Sequence, residues 1–118
     1  MSGRPPLPPA NRRRGEIAAT LDGRPVQLCL TLGALAELEG RFGEDLGAMV
    51  ARFSSGRLTA GDMLAVIGAG LRGAGHTFTD DEVAEMQTEG GAAGYARIAV
   101  DLLLATFGGA EGAEGGDG

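Results

Sequence analysis

The chain has no tryptophan, no lysine, one cysteine, one histidine and one tyrosine among its 118 residues. A single thiol, Cys29, excludes an internal disulfide and a cysteine-based metal centre. The lone His76, in "GAGHTFT", has no cysteine near it, and a metal there would have to recruit Asp80 or Asp81, which the spacing does not favour. No apolar run approaches the roughly 18 residues of a membrane span. The opening "MSGRPPLPPANRRR" lacks the apolar stretch of a secretory signal. The expectation is a soluble, cytoplasmic protein with no membrane contact. Aromatics make up only 4%, so a core has to be built from Leu, Val, Ile, Ala and Met.

What is plentiful is glycine, at 22 residues, and acid, with a net charge of −6. The charge is unevenly placed. Arg4, Arg12, Arg13 and Arg14 make residues 1–14 basic and proline-rich, and Glu111, Glu114 and Asp117 make residues 110–118 acidic and glycine-rich. Neither segment has hydrophobic periodicity, so both are expected to be disordered. Between them, residues 15–109 hold thirteen acids against six arginines, a body of −7. That sign argues against nucleic acid as the main partner. The length suits one domain.

Within the body, "GEIAATLDGRPVQLCLT" alternates as a β-hairpin around Asp22-Gly23, the favoured two-residue type I′ loop. That loop pairs Leu21 with Arg24, Ala19 with Val26 and Ile17 with Leu28, placing the apolar residues on one face. Pro25 falls opposite Thr20 with its missing N–H outward. The period then changes. Thr31 is an N-cap, Leu35, Leu38 and Phe42 recur at helical spacing, and Gly43 is a C-terminal stop. Further helices are predicted at about Glu44–Phe53, Ala60–Gly73, Asp80–Gln87 and Ala92–Phe107. Thr59 with Asp62, and Thr79 with Glu82, form capping boxes. The fold class is therefore mainly α with an N-terminal β-hairpin (α+β), a small bundle of four to five helices.

The last helix carries two apolar stripes. Tyr95, Ile98, Ala99 and Leu102 form one, and Val100, Leu103, Leu104 and Phe107 the other. A helix apolar on most sides is either buried centrally or covered by a partner. On the second reading, Val100, Leu103, Leu104 and Phe107 are the candidate partner-binding residues, meeting a second copy of the chain or another protein.

Candidate chemistry does not assemble. Asp80, Asp81 and Glu82 fall in the first turn of a helix, where negative charge suits the macrodipole. "GAGLRGAGH" has glycines enough for a phosphate loop but lies inside and at the end of a helix, where glycine instead allows close packing. Ser54 and Ser55 have no base near them, and Cys29 has no partner to activate it. No catalytic residue, metal site or cofactor is predicted, and the expectation is a non-enzymatic protein.

"GEIAATLDGRPVQLCLTLGALAELEGRFG" resembles the opening of a family of small proteins of gene transfer agents and related tailed phages, with "LTLGALAELE" its most specific block. "LRGAGHTFTDDEVAEM" and "GYARIAVDLLLATFGG" are similar to the same family, so the resemblance covers about residues 15–109. The family is grouped with phage tail assembly chaperones and is also labelled as a tail tube component. The resemblance implies virion assembly, with the tape measure protein or other tail proteins as partners. A chaperone would coat the tape measure protein before the tube polymerises, acting in the cytoplasm. A structural tail or tail tube component would instead be incorporated in a phage-like particle, and should be longer and richer in strands. A generic helical adaptor is a third reading.

Overall fold

The computed structural model describes residues 10–11 and 14–108. The basic arm and the acidic tail read from the sequence lie outside these residues, apart from Ala10, Asn11 and Arg14. Asn11 is tied to the first strand: its carbonyl accepts the Glu16 N–H at 3.1 Å and its own N–H donates to Glu16 Oε1 at 2.9 Å.

β1 (Glu16–Leu21) and β2 (Arg24–Cys29) form an antiparallel hairpin with the register expected from the loop, Ile17 opposite Leu28 and Thr20 opposite Pro25. Asp22 (φ 55°) and Gly23 (φ 74°) are both left-handed, as a type I′ loop requires. Ile17, Leu21, Val26 and Leu28 are buried on one face, whereas Ala18 and Thr20 are exposed on the other. A one-residue slip would turn all four outward, so burial holds the register.

Five helices follow. In α1 (Leu32–Phe42), the Thr31 hydroxyl accepts the Ala34 N–H at 3.1 Å, and Gly43 closes the helix in the left-handed region. α2 (Leu46–Ser54) starts two residues later than the periodicity suggests, because Asp45 leaves the helix to cap it, accepting from Ala48 N–H at 2.8 Å. α3 (Ala60–Gly73) and α4 (Asp80–Ala84) both open on complete capping boxes, Thr59 with Asp62 and Thr79 with Glu82. α5 (Gly91–Leu103) runs into a π-helical turn, Leu104–Gly108, where the Thr106 hydroxyl donates to the Leu102 carbonyl at 2.7 Å.

The centre of the molecule is α3. Every residue from Ala65 to Leu71 is buried, and β2, α1, α4 and α5 all pack against it. α5 covers one flank, with Leu102 set against Gly70, and is not itself the central helix. Glycine makes the approach possible at two places. A Cβ on Gly73 would sit under 3.0 Å from the backbone carbonyl oxygen of Cys29, and one on Gly70 would lie 2.5 Å from Leu102 Cδ2 and 3.3 Å from Leu28 Cβ. The hairpin and α5 thus rest directly on the α3 backbone.

α4 ends three residues short of the predicted Gln87 for a tertiary reason. The Gln87 N–H donates to Asp22 Oδ1 at 2.9 Å and its carbonyl accepts the Asp22 N–H at 2.8 Å, so the chain leaves the helix to meet the hairpin loop. The Thr88 hydroxyl adds a bond to the Thr20 carbonyl at 3.3 Å.

Gly73→Ala should therefore lower stability by about 1–3 kcal/mol, because the clash is with strand backbone rather than a movable side chain. Gly40→Ala, in α1 with nothing within 4 Å of the added methyl, should raise it by about 0.5–1 kcal/mol. Urea titration of both variants checks the contrast.

Candidate interaction surface

Two apolar depressions flank α5. The larger, about 500 Å³, lies between the first turns of α3, α4 with the segment after it, and the start of α5. Met63, Leu64, Val83, Met86 and Tyr95 supply its apolar lining. Val83 is wholly buried and forms the floor, while the other four are half-buried. The Tyr95 hydroxyl donates to the Met86 carbonyl, tying α5 to the segment after α4. The ring packs into the groove, and burial raises the phenol above its ordinary pKa, with the Asp22 charge adding to the effect.

The smaller depression, about 230 Å³, brings together Val100, Leu103, Leu104 and Phe107 with Val50 and Phe53 of α2. This is the stripe singled out in the sequence, and α2 covers much of it. Leu103 is 3% exposed and belongs to the core, which removes it from any free surface. Leu104, 53% exposed, is the outward member, and Val100 and Phe107 are half-buried. The periodicity did not reveal the larger groove, because its walls come from three separate helices and one wall is the non-helical stretch after α4.

Several titratable groups are engaged in structure. Asp80 accepts from Arg41 at 2.5 Å and Arg72 at 3.0 Å, and Arg72 also donates to Glu37 at 2.6 Å and to the Phe78 carbonyl at 3.1 Å. This cluster joins α1, α3 and the start of α4, and Gly68 leaves room for it. Arg52 binds Glu44 and the buried Asp62 and lies over the rings of Phe42 and Phe53, at 5.4 and 5.5 Å from their centroids. His76 stacks on Phe78 with centroids 5.6 Å apart. Cys29 is half-buried, and desolvation raises its pKa, with Glu16 adding to the effect. Among the described residues, no three His, Cys, Asp or Glu side chains are grouped to hold a metal ion.

The model of a family described as phage tail tube protein, GTA-gp10, matches residues 14–109, well over half of the chain. The chain belongs to this gene transfer agent tail family. Neither a curated protein nor a solved structure matches it. The matched span takes in the hairpin, all five helices and both depressions of the tail protein. No helix among its described residues is long and apolar enough to cross a membrane.

The Asp80 cluster gives a pH test in the tail protein. Burial works to raise the carboxyl pKa, but the hydrogen bonds from Arg41 and Arg72 outweigh it and hold the group below its ordinary value. A depressed folded-state pKa contributes stability above the unfolded value of about 4 and loses it as pH falls through the folded value. Asp80→Asn should cost about 1 kcal/mol at neutral pH. Thermal melts across pH should show that difference shrinking below about pH 4.

Proposed function

We propose that this tail protein is a non-enzymatic assembly chaperone, holding an apolar segment of the tape measure protein in the cytoplasm before the tube forms. The observation that carries this reading is the open apolar groove of Met63, Leu64, Met86 and Tyr95 on a small acidic helical body. Methionines suit a surface that must accept a partner without close shape matching. An exposed apolar depression on an otherwise charged body is the usual mark of an interaction site. The commitment of Asp80, Glu82 and Asp62 to ion pairs and caps supports a role without chemistry of its own.

A second reading, a structural tail tube component, draws support from the family's own description and from the hairpin. Its two strands are the only strands among the described residues, so each has an outer edge free of a strand partner. Strand addition at such an edge is a common way to join subunits. Against it, one two-stranded sheet is little with which to build a β-rich ring.

The readings separate on finished particles. Quantitative mass spectrometry of purified tails should find the chain absent, while the tape measure protein copurifies with the tagged chain from assembling cells. Many copies per finished tail would assign the tube role instead.

A further inference from the structure

The groove between α3, α4 and α5 also carries information about what enters it. Apart from the exposed side-chain amide of Gln87, its lining offers almost no free polar group. The Tyr95 hydroxyl is spent on the Met86 carbonyl, the Thr88 hydroxyl on the Thr20 carbonyl and the Gln87 backbone on Asp22. A small molecule would find little to orient it. An extended peptide would find no strand edge, because neither β1 nor β2 contributes to the lining. A chain lying there has to satisfy its own backbone hydrogen bonds, which is the property of a helix.

The segment that forms the α4 wall of the groove is acidic. The wall from Asp80 to Gly91 carries Asp80, Asp81, Glu82, Glu85 and Glu89 and no arginine. Asp80 is neutralised by Arg41 and Arg72, and Glu82 caps α4. Asp81, Glu85 and Glu89 do not line the groove but are exposed on the segment whose Val83, Ala84, Met86, Gln87 and Thr88 do. On α5, Arg97 follows the groove-lining Tyr95 by two residues, about 200° around the helix, and so faces away.

We propose that the groove binds a basic amphipathic helix of another polypeptide, its apolar face on Met63, Leu64, Met86 and Tyr95 and its Lys and Arg residues over Asp81, Glu85 and Glu89. This rests on the chaperone reading only for the partner's identity: it specifies a basic, amphipathic stretch of the tape measure protein. The acidic wall selects among apolar helices, admitting a cationic one and repelling an anionic one.

The test uses the full chain labelled with 13C at its methionine methyls and two synthetic helical peptides of about 18 residues. Both peptides carry a leucine face, one with a lysine polar face and the other with a glutamate polar face. The lysine peptide should shift the Met63 and Met86 methyl signals and leave that of Met49, which is 0% exposed, in place. The glutamate peptide should not bind. The double variant Glu85→Arg with Glu89→Arg should weaken the lysine peptide about tenfold at low salt. Met63→Gln should abolish binding with an unchanged melting curve. Equal binding of both peptides, or a lysine peptide that leaves Met63 and Met86 unshifted, overturns the proposal. Shifts that appear on concentrating the chain alone would make a second copy the occupant and overturn it as well. The two levels separate in pull-downs. Tape measure capture that survives both variants sinks the groove and keeps the chaperone, whereas peptide binding without tape measure capture does the reverse.

Discussion

The contact on which the rest of the structure depends is the one between the backbone of β2 and the backbone of α3. At Gly73 the Cys29 carbonyl oxygen occupies the space a side chain would need, and at Gly70 the same is true of Leu28 and Leu102. This places the hairpin directly on the central helix and buries Ile17, Leu21, Val26 and Leu28. Two strands alone are marginal in water, so the hairpin exists because the helix beneath it is bare. The loop then does further work. Asp22 takes both backbone groups of Gln87, which ends α4 and fixes the path of residues 85–90. That path is one wall of the larger groove. A local constraint on α3 therefore reaches the candidate interaction surface through one pair of hydrogen bonds.

The core reflects the poverty in aromatics. Its largest fully buried side chains are Ile, Leu, Met and Val, from Ile17 to Leu102. Small residues do much of the remaining packing, with Ala65, Ala69 and Ala99 buried among them. Ionic links also join the helices. Arg72 and Arg41 clamp Asp80 at the junction of α1, α3 and α4, and Arg52 clamps Glu44 and Asp62 at the junction of α2 and α3. Apart from the buried Asp62, these groups are partly solvated, so together they orient the helices more than they stabilise them.

Features governed by neighbouring residues were legible in the sequence. The Asp22-Gly23 loop dictated the hairpin register, and Thr31, Gly43, Thr59 and Thr79 marked helix ends through bonds to residues three or four away. Features governed by distant residues were not. Nothing near Gln87 says that Asp22 will end α4. Leu103 and Leu104 look alike in a periodic stripe, yet a rotation of about 100° puts one in the core and the other outside. Which is which depends on how far α2 reaches across, and that is a tertiary fact. The groove was hidden for the same reason, since Met63, Met86 and Tyr95 belong to separate segments.

On the reading proposed above, this gene transfer agent tail protein meets its partner through the groove and not through its strand edges. Hydrogen–deuterium exchange of the chain, alone and with the tape measure protein, tests it most directly. The account predicts slowed exchange at residues 60–64 and 83–95, with β1 and β2 unchanged. Protection confined to the outer edge of either strand, with the groove exchanging as before, would contradict it and point to a subunit that assembles by strand pairing.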